Sequence, residues 1–360
     1  MALISPASRA SAIKPRTDSF TLMTDKTALI VTSIAAPNAA LTSLAHGCHQ
    51  QGFDFIVIGD VPSPPDFKLE HCRFFGLSDQ QALGLQFAQQ CPTRHYARKN
   101  IGYLLAMRDQ ATVIVETDDD NHPTEAFWKA RHRAQSVNVS SDAGWVNVYR
   151  YFTDANIWPR GLPLDQIRAA VSPYESLTSE VIDCPIQQGL ADENPDVDAI
   201  YRLALPLPQS FRADRRLALR KGSWSPFNSQ NTTWWRDAFP LLYLPAYCSF
   251  RMTDIWRNFI AQRIAWANDW GVLYHEPTVW QERNEHNLMR DFRDEVPGYL
   301  NNSAICEALG RLSLQPGLDR LNDNLRICYE ELVRMEMIGT QELALVEAWI
   351  TDLENIPADK

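Results

Sequence analysis

Residues Val113 to Asn121 read VIVETDDDN, a short apolar run that stops in three consecutive aspartates. Packing Asp118, Asp119 and Asp120 together costs self-repulsion that a cation offsets, and hard divalent ions such as Mg²⁺ or Mn²⁺ prefer carboxylate oxygens. Val113-Ile114-Val115 has the continuous apolar character of a buried parallel strand. In an open α/β sheet, ligands sit beyond the carboxyl ends of the strands. The cluster therefore reads as a metal–diphosphate site. Its alternative is a solvated acidic turn capping a helix that starts near Thr124.

Other chemistry-bearing residues are more ambiguous on their own. Asp60 ends a V-I-G-D turn and either contacts a nucleotide or only forms the turn. Arg98 and Lys99 fall near the start of a helix expected over residues 95–108, where cations oppose the helix dipole and point to an anionic partner, or belong to a solvated face. Asp254 follows Thr253 at the start of a helix expected over 252–267, as an N-cap or as a functional carboxylate. His275 and His286 flank the turn after Pro277, and a single histidine is more often a packing or surface residue than a ligand. Eleven tryptophans are present, several between 224 and 280, placed either in a core or as platforms for a flat ligand face.

The elements that must position these groups follow an α/β pattern. Residues 28–34 (ALIVTSI) form a first buried strand, Pro37 and Asn38 turn into a helix through about Gln50, and Phe55 to Ile58 form a second strand, together a βαβ unit. Cys72 to Phe75 give a third strand, and Gly144 to Tyr149, Leu241 to Leu244 and Val272 to Tyr274 are strand-like. Between them lies a loop-heavy aromatic section, typical of the region that shapes a second substrate. Three helical patterns close the chain, Ala304 to Leu312, Leu318 to Met337 and Gln341 to Leu353, and offer a surface for a homo-oligomer.

Composition narrows the class. Apolar residues make up 45% and charged residues 22% of 360, ordinary for a soluble globular protein. A net charge of −10 argues against a nucleic-acid or anionic-membrane binder. No apolar run approaches the ~20 residues of a spanning helix. The Ser/Ala/Pro-rich residues 1–25 read as a loose arm without a secretory signal. Seven scattered cysteines with no C-x-x-C pair suggest buried thiols in a reducing compartment, hence a cytoplasmic setting.

Four blocks in order, RKNIGYLLAMRDQATVIVETDDDN, NPDVDAIYRL, FRMTDIWRNFIAQRIAW and PTVWQERNEHNLMRDF, resemble the STELLO-type glycosyltransferase-like family. More distantly they resemble the reversibly glycosylated polypeptides, which are UDP-arabinopyranose mutases. The resemblance spans roughly residues 27 to 300. It implies a glycosyltransferase-A fold, a Rossmann-like mixed sheet flanked by helices. That fold would occupy residues 26–298, with a nucleotide half over about 26–135 and an acceptor half over about 136–298. Residues 299–360 would add a helical extension.

Carried onto this chain, the resemblance makes Asp118 and Asp120 the Asp-x-Asp carboxylates that hold Mn²⁺ or Mg²⁺ on the donor diphosphate, with Asp119 between them. Arg98, Lys99, Asp119 and Arg283 become nucleotide-sugar contacts, joining Asp60 from its own strand end, and Asp254 becomes the base that takes a proton from an acceptor hydroxyl. The relatives' metal-binding histidine after P-x-x-W is Gln281 here, so the third ligand is His286 five residues on, Gln281 itself, or none. Arg160 in WPRG is a loose counterpart of the mutases' reactive arginine, and Trp224 and Trp234 are candidate acceptor contacts. The membrane anchor of plant STELLO-type proteins is not found in these residues. The expected function is metal-dependent transfer from a nucleotide sugar, a UDP-sugar by resemblance, to an acceptor hydroxyl, with inversion. The alternatives are a UDP-sugar mutase or autoglycosylating protein, and a non-catalytic scaffold.

Overall fold

The computed structural model describes residues 25–282 and 287–357. In the first part of the chain β1 (Thr27–Thr32), α1 (Ala39–Gln51), β2 (Asp54–Ile58), β3 (Arg73–Phe75), α2 (Leu77–Ala82), α3 (Gln86–Gln90), α4 (Lys99–Arg108) and β4 (Val113–Thr117) follow one another. The middle is strand-rich: β5 (Asn121–Pro123), β6 (Ala134–Ser140), β7 (Gly144–Trp145), β8 (Thr178–Asp183), β9 (Ile186–Asp192), α5 (Ala199–Ala204), β10 (Arg216–Leu219), β11 (Ser223–Trp224) and β12 (Asn231–Trp235). Then come α6 (Thr253–Ala267), β13 (Val272–Gln281), α7 (Leu288–Arg311), α8 (Leu321–Arg334) and α9 (Glu342–Glu354).

Among the described residues one large sheet runs β3-β2-β1-β4-β12-β9-β13-β10-β6-β8, with β5 added beside β13. Strands β3, β2, β1 and β4 are mutually parallel. Because β12 is antiparallel to both β4 and β9, and β13 is parallel to β9, the carboxyl ends of β1, β2, β4, β9 and β13 and the amino end of β12 share one edge. This geometry gathers the site.

Both faces of the parallel strands are covered, which is why they read as unbroken apolar runs. Ala28, Ile30, Ile56, Ile58 and Ile114 join the large core on the face of α4 and α6, while Leu29, Val31, Phe55, Val57, Val113 and Val115 pack against α1 and Phe127 on the other. Helix α4 lies close on the sheet at Gly102, where an added Cβ would fall 2.5 Å from Ile30 Cγ2. Helix α1 starts at Asn38, whose side chain accepts from the Leu41 N–H at 2.8 Å and donates to the Asp119 carbonyl at 2.8 Å, tying the cap to the aspartate loop.

Several expected elements shift. No helix is capped by the aspartates: β5 follows them, and Glu125–Trp128 is a single 3₁₀ turn. The strand expected at Leu241 to Leu244 is instead a 3₁₀ segment, Arg236–Leu242, and only Gly144–Trp145 of the 144–149 run pairs as a strand. The boundary expected near 299 falls inside α7. The last helices are pinned to the rest of the molecule. The Glu342 carboxylate accepts from the Tyr247 N–H at 2.7 Å and from the Tyr243 hydroxyl, and Asp352 accepts from the Gln86 and Phe87 N–H groups at 2.9 and 2.8 Å. No described helix is long and apolar enough to cross a membrane. The architecture is the mixed α/β sheet with flanking helices and C-terminal helices of a glycosyltransferase-A type fold.

Candidate active site

A cavity of about 660 Å³ opens along the shared sheet edge, within the size range of small-molecule sites. Its walls come from the segments just after β1 and β2, the loop before α4, the aspartates after β4, Asp196 beyond β9, Ser229 and Gln230 before β12, the start of α6, and Gln281 at the end of β13.

The three aspartates differ in how they are held. Asp119 Oδ2 accepts from the Ser33 hydroxyl at 2.5 Å. Asp120 is 9% exposed, and its Oδ1 accepts from the Gln281 amide at 3.0 Å. Asp118 keeps 40% of its side chain open and accepts from the buried Lys99 ammonium at 3.1 Å. The protein around Asp118 strips enough water from it to push its carboxyl up to about 6; Lys99 opposes that shift and Asp120 adds to it. Lys99 thus steadies the aspartate strand from beneath instead of reaching a ligand.

On the same cavity wall, Arg160 is clamped between two carboxylates. Its Nε and Nη2 donate to Asp196 Oδ1 and Oδ2, both at 2.8 Å, and its Nη1 and Nη2 donate to Asp254 Oδ1 and Oδ2 at 3.0 and 2.8 Å. Asp254 also accepts from the Tyr96 hydroxyl at 3.1 Å and the Ser229 N–H at 3.3 Å. Burial pushes the Asp254 carboxyl up, but Arg160, with Arg257 and Arg251, pushes it further down, to about 2. Asp196 is lowered in the same way. Burial alone would lower the Arg160 guanidinium, yet its two carboxylates hold it well above its ordinary value. Asp254 does not act as the N-cap hydrogen-bond acceptor of α6. It is a buried carboxylate on the cavity wall whose ionised form Arg160 favours.

Other expectations need correction. Trp234 is fully buried, with its indole N–H on Glu116 Oε1 at 2.9 Å, and Trp224, 8% exposed, packs on Trp266 with ring centroids 4.2 Å apart. Both are core residues and neither touches the cavity. Arg98 borders it, but its guanidinium is turned onto Gln80 Oε1 and the Cys91 carbonyl, each at 2.8 Å. Asp60 lines the cavity while its carboxylate accepts from the Val61 and His95 N–H groups at 2.7 and 2.9 Å, the work of a turn former. Arg283 and His286 lie outside the described residues. Sequence reasoning missed Tyr96, Asp196, Arg251 and Phe250. Asp196 sits in the NPDVDAI run that was visible as a block, but its pairing with Arg160, 36 residues away, was not.

Residues 251–359, which begin beside Asp254 and run through the C-terminal helices, match the family model of the STELLO glycosyltransferases. The chain is STELLO-like in sequence. It is 28% identical over 272 residues to the probable glycosyltransferase STELLO2 of Arabidopsis thaliana, covering 70% of this chain and 35% of the relative. It is similar to the same extent to the probable glycosyltransferase STELLO1 of that plant. This STELLO-like chain therefore spans about a third of the length of the curated relatives it matches.

Proposed function

We propose that this chain is a metal-dependent glycosyltransferase that moves a sugar from a nucleotide sugar, in the first instance a UDP-sugar, to an acceptor hydroxyl in a cytoplasmic setting. The observation that carries this reading is the cavity itself, about 660 Å³, which the aspartates after β4 line together with the Arg160, Asp196 and Asp254 cluster.

The donor set fits Mg²⁺ or Mn²⁺ in one particular mode. Among the described residues no three His, Cys, Asp or Glu side chains converge into a protein-only cage. Such ions in phosphate sites are commonly held by one or two carboxylates, with water and substrate phosphate completing the shell. Asp118 and Asp120 supply that pair, and the raised Asp118 carboxyl marks a place where added positive charge is favourable. Bound there, a divalent ion would offset charge on the departing diphosphate.

The chain's own residues would divide the remaining work. Lys99 and Ser33 fix the aspartate loop from below. Asp254 fits poorly as a strong general base, because Arg160 stabilises its ionised form. Its better role is to accept a hydrogen bond from a sugar or acceptor hydroxyl and to counter positive charge developing at the sugar C1. The same clamp keeps the Arg160 guanidinium protonated, which opposes autoglycosylation at that side chain.

Calorimetric titration of a panel of nucleotide sugars, with and without Mn²⁺, into this protein and Asp120→Asn tests the reading. Metal-dependent binding of one donor that is lost in the variant is expected. Absence of binding under every condition would leave a non-catalytic scaffold as the better account.

A further inference from the structure

One layer beneath the cavity, a single buried carboxylate joins four of the elements that surround it, β4, α4, α6 and β12. Glu116, fully buried near the end of β4, accepts at Oε1 from the Trp234 indole N–H and from Arg257 Nη2, both at 2.9 Å. Its Oε2 accepts from the Tyr103 hydroxyl and from Arg257 Nη1 at 3.4 Å. Arg257, 1% exposed, lies over the Trp234 ring with its guanidinium carbon 4.9 Å from the centroid.

The spacing of these contacts repeats from element to element. Tyr103 lies four residues, about one helical turn, after Lys99 on α4, and Arg257 lies three residues after Asp254 on α6. Glu116 precedes Asp118 by two residues, and Trp234 follows Gln230 by four. Strands β4 and β12 and helix α6 therefore each place one residue on Glu116 and a near neighbour at the cavity, while α4 places Tyr103 on Glu116 and Lys99 on the cavity-lining Asp118.

A buried ion pair is weak as a source of stability, since a well-packed apolar pair of the same size often serves as well. What it supplies is a fixed relative position, because bidentate and charge-assisted bonds tolerate little sliding. We propose that Glu116 and Arg257 are positioning residues that set the spacing between the Asp118–Asp120 loop and the Asp254 end of α6. Neither residue faces the cavity, so they act only through the groups they hold.

The test is the double variant Glu116→Gln/Arg257→Met, which removes both charges together, with Tyr103→Phe as a milder variant that deletes one donor. Amide hydrogen exchange is read on the intact chain without ligand. Exchange should rise at least tenfold in segments 117–121, 228–231 and 252–256, while β1 and β2 keep their protection. In parallel, Mn²⁺-dependent donor affinity should fall at least tenfold with a thermal midpoint close to the parent's. That binding arm rests on the glycosyltransferase reading, whereas the exchange arm does not. A parent that binds no nucleotide sugar defeats the functional reading and leaves the positioning role to be decided by exchange. Unchanged exchange, or a uniform loss of protection across the sheet, overturns the positioning role. If the double variant does not fold, the same exchange pattern in Tyr103→Phe decides.

Discussion

The Lys99 ammonium lies 3.1 Å from Asp118 Oδ1 with no solvent exposure of its own, while the Asp118 side chain is 40% open to the cavity. The cation is thus on the protein side of the carboxylate and leaves the cavity side free. Lys99 also donates to the Thr117 carbonyl at 2.7 Å and the Ser229 carbonyl at 3.1 Å, so it stitches the end of β4 to the loop before β12.

Lys99→Met should therefore lower stability. It leaves two buried carbonyls without their donor and a carboxylate without its counter-charge, a loss of about 1–3 kcal/mol. Urea unfolding should show a lower midpoint at an unchanged slope. An unchanged midpoint would mean that Lys99 is not the tie.

The Arg160 clamp makes an acid-side prediction. A carboxylate whose folded value is depressed adds stability that is fully present above its unfolded value of about 3.9 and is lost as pH falls through the folded value. For Asp254, depressed to about 2, and for Asp196, also depressed, that window lies below about pH 4. Arg160→Met inverts the sign. Two buried carboxylates then face each other without the guanidinium that bridges them, leaving Arg251 and Arg257 to offset burial; their folded values rise above the unfolded ones, and protonation favours the folded state. The variant should lose roughly 3–5 kcal/mol at neutral pH and recover part of it between about pH 7 and 4. Denaturant midpoints across that range check it, and a variant that tracks the parent's profile would rule out the clamp.

Trp224 separates a core role from an acceptor contact. Its ring meets Trp266, Phe259 and Trp145, and it is 8% exposed. Trp224→Ala should cost about 3–5 kcal/mol, the range for truncating a buried aromatic. Below the unfolding transition, donor affinity should match the parent's. A loss of affinity at full stability would restore Trp224 as a contact.

These contrasts show what the sequence could carry. The strand before the aspartates was legible because a sheet covered on both faces leaves an unbroken apolar run, and the acidic cluster followed it directly. Strands β9, IQQGLAD, and β12, NTTWW, were not legible, since their buried polar side chains break both alternation and apolarity. Those side chains are satisfied across the sheet, as where Asn231 donates to Thr278 Oγ1 at 2.7 Å. The tryptophans stayed open between core and ligand platform because residue type does not say which face of a strand is covered. Asp254 was found by its block, but its low basicity depends on Arg160, 94 residues away, and no local pattern encodes that distance.

Phe250 is the remaining test of what the cavity holds. It is 48% exposed and lines the cavity, standing edge-on to Tyr96 with centroids 5.0 Å apart and to His95 at 5.4 Å. Burial lowers the His95 imidazole to about 4, so this aromatic corner is uncharged at neutral pH. An exposed ring braced by two others gains little from packing on its open side, and it offers a face to a flat base or sugar. Phe250→Ala gives up the edge contacts, at most about 0.5–1.5 kcal/mol of stability. Stacking of a base on an aromatic ring contributes about 1–3 kcal/mol, so donor binding should weaken roughly fivefold to hundredfold. Phe250→Tyr should restore most of it. Calorimetry with the nucleotide sugar that the panel titration selects reads both variants, and unaltered affinity in Phe250→Ala would place the base and sugar elsewhere along the cavity wall.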